Sequence, residues 1–97
     1  MDQKVNSYLE LIFDCVESIN SDLPDAQKLS ADKHSVLIGN GGVYDSLSII
    51  NLLVAVEEAL NNLGEEVLLL DEDLVTDNDG PYSTLYKLAD FIANSKL

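Results

Sequence analysis

The spacing of apolar residues near the start of the chain constrains its fold more than any other feature. Val5, Tyr8, Leu9, Ile12, Phe13, Val16 and Ile19 follow one another at intervals of 3, 1, 3, 1, 3 and 3. These intervals trace one stripe along a helix and do not fit the two-residue alternation of a strand. They predict an amphipathic helix from about Asp2 to Ile19, whose stripe must be buried against other elements. Cys15, three residues after Ile12, flanks the stripe. With no Lys or Arg beside it, it reads as a half-buried structural thiol.

The helical pattern stops from Asn20 to Asp45. Pro24 breaks it, and Gly39, Gly41 and Gly42 punctuate the far end. Between them Val36, Leu37 and Ile38 form a short apolar patch able to pin the loop to a core. A connection of roughly 25 residues is long, and long loops are often functional. His34 stands there alone, with no second histidine or nearby cysteine, and reads as a surface residue.

A second helix is expected from Ser46 to about Asn62. Its apolar residues, Leu47, Ile49, Ile50, Leu52, Leu53, Val54, Val56 and Leu60, cover more than one face. Either the helix is wholly buried, or it gives one strip to the core and another to a partner or ligand. Gly64 ends it. Val67 to Leu70 have no second strand candidate to pair with, so a loop or a brief helix is expected. Asp71 to Gly80 is an acidic turn and Pro81 resets the chain. Ser83 then reads as the N-cap of a last helix bearing Leu85, Leu88, Ala89, Phe91 and Ile92. The expected fold is all-α. It is a small four-helix bundle in one domain over residues 1–97, with three main helices, a short helix or loop between the second and the last, and a long first loop.

Charge then restricts partners. Eighteen acids face five lysines and no arginine, a net charge of −13 in 97 residues. Ten of those acids fall between Ser35 and Tyr86, where there is no Lys or Arg. Nucleic acid is excluded as a partner, because phosphate contacts need a basic patch, and anionic membrane surfaces are disfavoured for the same reason. The chain is nonetheless 46 % hydrophobic, with a mean hydropathy of +0.06, so it is expected to fold. The longest apolar run, Leu52 to Val56, is too short to span a membrane, and no export signal is recognised at Met1 to Lys4. One cysteine makes no internal disulfide. A monomer in a cytoplasmic setting is expected.

Self-contained catalysis finds no residues. Placing Gly80 at the sixth position of a calcium loop puts Val75 where the first acid belongs and Tyr86 where the closing Glu belongs. Gly39-Asn40-Gly41-Gly42 is followed by Val43, Tyr44 and Asp45 and lacks the Lys of a phosphate loop. No metal site and no nucleophile–base pair emerges. What remains is Asp45-Ser46-Leu47, where a glycine-rich loop enters the most apolar helix. On one reading Asp45 simply caps the helix and Ser46 fills its first turn. On the other, a Ser at a helix N-terminus is exposed among free backbone N–H groups, where a phosphate ester on its hydroxyl would be stabilised.

The stretch Gly41-Gly42-Val43-Tyr44-Asp45-Ser46-Leu47, followed by Ile50-Asn51-Leu52-Leu53-Val54-Ala55-Val56-Glu57-Glu58-Ala59-Leu60, resembles the acyl carrier proteins. The likeness extends to an amphipathic first helix, a long loop and a closing helix, although only Tyr44 to Leu60 is specific. It implies a four-helix bundle carrying 4′-phosphopantetheine on Ser46, with Asp45 and Leu47 read by a phosphopantetheinyl transferase that takes the arm from coenzyme A. The chain would then be a substrate and not an enzyme, holding acyl or aminoacyl groups as thioesters. Leu47, Ile50 and Val54, with Glu57 and Glu58, would dock partners such as an acyl- or aminoacyl-activating ligase. Ile49, Leu52, Leu53 and Val56 would line a cavity for the cargo. Where the fatty-acid-synthesis carriers usually bear acids after the motif, this chain has Ser48 and Asn51. One extra residue separates Gly42 from Asp45, and the Asp71 to Ser83 segment is longer. These departures make it resemble a divergent stand-alone branch serving a specialised pathway. The competing expectation is an unmodified acidic helical interaction module using the same helix.

Overall fold

The first apolar stripe forms α1, Gln3–Asn20, in the computed structural model, which describes residues 3–94. Asp2, expected to open this helix, lies outside the described residues. The buried side of α1 is Val5, Tyr8, Leu9, Ile12, Cys15 and Val16. Cys15 therefore belongs to the core face and is buried, where half-burial was expected. Burial, with Asp14 nearby, raises its thiol pKa, so the sulfur rests as an inert thiol. Phe13 and Ile19 lie at the edge of the stripe and pack against the core half-buried.

A loop with one 3₁₀ turn, Asp25–Gln27, leads to α2, Ser46–Asn62. Leu37 and Ile38 are buried and anchor this loop as expected. The anchor is backbone as well as side chain: the N–H groups of Leu37 and Ile38 both donate to the carbonyl of Ser83, and Val36 forms an isolated bridge with Thr84. Gly64, at φ +82°, ends α2. Its N–H donates to Asn61 and that of Glu65 to Leu60, satisfying the last carbonyls in a left-handed glycine cap.

Residues 65–70 carry no regular structure. The brief helix follows them as α3, Glu72–Val75, capped by the Asp71 carboxylate on the N–H of Asp73. The last helix is α4, Leu85–Asn94. Its cap is Thr84, whose hydroxyl accepts the N–H of Lys87 at 3.1 Å, and not Ser83 as the sequence suggested. Ser83 sits one residue too early, where its carbonyl is already committed to the first loop.

The described residues are mostly helical, with four α-helices and no strand, as expected of an all-α chain. Helix α1 packs on both α2 and α4. Their joint core is Val5, Ile12 and Val16 against Leu52, Leu53, Val56 and Leu60, and against Leu85, Leu88 and Ile92. Tyr82 is also fully buried, meets Phe91 edge-to-face at 5.4 Å, and donates its hydroxyl to the carbonyl of Leu69 at 2.7 Å. No helix among the described residues is long and apolar enough to cross a membrane.

Candidate functional site

Ser46 is the first residue of α2 and is exposed. Asp45 caps the helix in extended conformation, and its Oδ1 accepts the N–H of Ser48 at 2.8 Å. That bond, then a second from the Ser48 side chain, holds the Asp45 carboxyl below the usual carboxylate range. The cap thus engages Ser48, which is buried, and leaves Ser46 on the outside of the turn. The N–H groups of the first turn have no intrahelical acceptor, so the Ser46 hydroxyl stands at the positive end of the helix.

Tyr44 fixes the approach to this turn. Its ring is buried, and its hydroxyl donates to Asn20 Oδ1 at 2.7 Å. The Asn20 carboxamide also brackets Leu29, accepting its N–H at 3.0 Å and donating to its carbonyl at 2.8 Å. One side chain at the end of α1 therefore ties down both the middle of the long loop and the residue preceding Asp45. Burial pushes the Tyr44 phenol up to about 12. The sequence offered only a weak sign of this clamp, an aromatic residue in an otherwise glycine-rich stretch.

The excess of apolar residues on α2 resolves into two strips. Leu52, Leu53, Val56 and Leu60 are fully buried in the core, and Ile49 packs against it half-buried. On the other side Leu47 is 67 % exposed and Ile50 42 % exposed, with Val54 half-buried farther along. Exposed apolar surface beside an exposed serine is what a docking or ligand-bearing helix offers, and what a wholly buried helix does not.

Glu57 and Glu58 differ in environment. Glu58 is exposed. Glu57 is half-buried, and its Oε2 accepts the N–H groups of both Leu69 and Leu70, stapling the irregular 65–70 segment to α2. Leu69 enters the core there, while Leu68 is left 89 % exposed. The staple was missed because two glutamates in sequence carry no sign of which one meets a distant backbone.

The other sequence candidates stay apart from this site. His34 is exposed, and its N–H donates to Asp32 Oδ1 at 2.8 Å. Two acids of the Asp71 to Asp79 segment turn their side chains on nearby N–H groups, Asp71 Oδ1 accepting that of Asp73 at 2.9 Å and Asp77 Oδ1 that of Asp79 at 3.1 Å. Among the described residues no group of three metal-type side chains is assembled. Comparison of the chain with protein-family models, curated proteins and solved structures finds no match.

Proposed function

We propose that this chain is a carrier of the acyl-carrier type: a small four-helix bundle that bears 4′-phosphopantetheine on Ser46. The observation that carries the reading is the exposed Ser46 hydroxyl at the head of α2, with its capping carboxylate turned onto Ser48 and with Leu47 and Ile50 exposed beside it. The site fits the group: an anionic diester on Ser46 would adjoin the first-turn N–H groups, and no acid within that turn would repel it. In loading, the Ser46 Oγ attacks the phosphorus of coenzyme A that carries pantetheine. The bond from that phosphorus to the bridging oxygen would break, adenosine 3′,5′-bisphosphate would leave with that oxygen, and the hydroxyl proton would pass to the transferase. Once bound, the arm supplies a thiol that holds acyl or aminoacyl groups as thioesters.

The residues of this chain have distinct tasks in that scheme. Asp45 shapes the turn, Tyr44 and Asn20 fix the incoming loop, and Leu47, Ile50 and Val54 form the apolar edge that the transferase and an acyl- or aminoacyl-activating ligase would grip. Glu58 supplies negative charge to that edge, whereas Glu57 also serves the fold. Incubation with coenzyme A, Mg²⁺ and a broad-specificity phosphopantetheinyl transferase tests the reading by intact mass. Gain of one phosphopantetheine, absent in Ser46→Ala, is expected. Folded protein that gains no mass would sink the carrier reading and leave the unmodified interaction module.

A further inference from the structure

Val43, three residues before Ser46, is 43 % exposed and is the one large apolar side chain of the first loop left exposed among the described residues. Both of its chain neighbours are fixed. Upstream, the N–H of Gly42 donates to the carbonyl of Gly39 at 3.2 Å. A Cβ at Gly42 would stand 3.2, 3.3 and 3.4 Å from the carbonyls of Leu37, Gly39 and Val36, so the turn is closed tightly there. Leu37 is in turn tied by its N–H to the carbonyl of Ser83 at 2.8 Å. Downstream, Tyr44 is buried, and its hydroxyl donates to Asn20 Oδ1 at 2.7 Å. Burial of Tyr44 between two exposed neighbours, Val43 and Asp45, is the alternation of an extended chain, and it turns Val43 outward.

A side chain on a loose loop must be ordered when a partner covers it, whereas one held at both neighbours carries little of that cost. Placement then decides what covers it. Along even a fully extended chain, the Cα atoms of Val43 and Ser46 lie no more than about 11 Å apart. A protein interface of ordinary size takes about 800 Å² of each partner, which is a disc of about 16 Å radius. An enzyme that brings phosphorus onto the Ser46 hydroxyl centres such a disc on Ser46 and reaches Val43. Leu47 and Ile50 offer exposed apolar surface on the helix side of Ser46, and Val43 offers it on the loop side.

We propose that Val43 is a recognition residue for the phosphopantetheinyl transferase, and that Asn20, acting through Tyr44, is the positioning residue that holds it beside Ser46. The inference rests on the assignment of Ser46 as the attachment point. Apolar contact at Val43 is made before and during transfer alike, so its loss weakens binding and leaves the chemical step unchanged.

The test is loading of the full chain by the transferase with coenzyme A and Mg²⁺, followed by intact mass, each variant being assayed well below its melting temperature. Val43→Ser should raise the KM for this chain about 3- to 5-fold with kcat unchanged, the size expected when part of one valine's burial is lost. Leu63→Ser is the control: Leu63 is 65 % exposed but lies about 25 Å along α2 from Ser46, and its replacement should leave KM unchanged. Tyr44→Phe keeps the buried ring and loses the bond to Asn20. It should raise KM by itself and add nothing in the Val43→Ser background, because both changes remove the same contact. Wild-type KM in Val43→Ser, or an equal rise in Leu63→Ser, overturns the recognition role. Wild-type KM in Tyr44→Phe, or effects that multiply in the double variant, overturns the positioning role. Folded wild-type protein that gains no mass overturns the Ser46 assignment itself, an outcome distinct from loading that ignores Val43.

Discussion

Glu57→Gln separates two accounts of what the acids on α2 do. If they act only through charge, removing any one relieves repulsion in a chain of net charge −13 and is slightly stabilising. The structure instead gives Glu57 two backbone N–H groups to hold, at Leu69 and Leu70. Hydrogen bonds to an ionised acceptor contribute about 1.5–3 kcal/mol each when buried. Leu70 is exposed, so water replaces most of its share, and Glu57 itself is half-buried. About 2 kcal/mol then depends on the carboxylate. Gln keeps the size, the helix propensity and one neutral acceptor, which retains about half of that stabilisation. The expected loss is about 1 kcal/mol for Glu57→Gln and about 2 kcal/mol for Glu57→Ala. For a domain of this size these correspond to melting temperatures lower by about 4–8 °C and 8–16 °C. Glu58→Gln, on the exposed neighbour, should fall within about 0.5 kcal/mol of wild type. The assay is thermal unfolding by circular dichroism at low salt, with urea midpoints as a second measure. Amide exchange at Leu69 should also accelerate in Glu57→Gln and not in Glu58→Gln. Equal effects of the two substitutions, or stabilisation by both, would refute the staple.

Four further outcomes follow. Ser46→Ala should abolish mass gain while leaving the melting temperature within about 0.5 kcal/mol equivalent of wild type, because Asp45 does the capping. Leu47→Ser should likewise preserve stability but raise the KM for transferase loading, as expected when exposed apolar contact is lost. The lowered pKa of Asp45 means that its contribution is present above the unfolded carboxylate value, near 3.9, and is lost as pH falls through the lower folded value. Acid titration of stability should therefore be steeper for wild type than for Asp45→Asn. Tyr44 behaves in the opposite sense: its folded pKa of about 12 exceeds the unfolded value near 10, so stability falls as pH rises between them. Tyr44→Phe should be less stable at neutral pH yet lose less across that alkaline window, measured by denaturant unfolding at each pH.

The long apolar stripes were legible because a 3.6-residue period leaves the same mark whatever the partner, and α1, α2 and α4 follow from it. The identity of the second helix cap was not legible. Ser83 and Thr84 are equally good caps by residue type, and only the bond between the Ser83 carbonyl and Leu37, nearly 50 residues away in sequence, displaces the helix start by one. Cys15 was misjudged by one class of burial because two neighbours, α2 and α4, cover α1 where one would have left its flank exposed. At the candidate site the sequence sufficed to place Asp45 as the cap of α2 and Ser46 in its first turn, since both placements are local to one helical turn. It did not suffice for Asn20 or Glu57. Each of these holds a backbone segment brought near by the fold, and polar residues at such positions look like ordinary surface residues until the chain is closed.

The acidity itself has two parts that the structure separates. Asp32, Asp45, Glu57, Asp71 and Asp77 each accept a backbone N–H, at a turn, a helix start or the 65–70 segment. With few lysines in the chain, these carboxylates of the described residues serve the backbone as acceptors. The one ion pair among the described residues, Lys28 with Asp25 at 3.1 Å, is exposed and adds little. These fixed acids cannot turn toward a partner without releasing the backbone they hold. Glu58, Glu66, Glu72 and Asp73 are exposed and hold no backbone N–H, and all lie beyond the first turns of α2. On the carrier reading proposed above, a basic partner face would be drawn to the far half of α2 and to α3, while Leu47 and Ile50 near Ser46 would meet it by apolar contact. Salt should slow such association by screening the exposed set. It should leave the staple at Glu57 largely intact, because that carboxylate is half-buried and already paired.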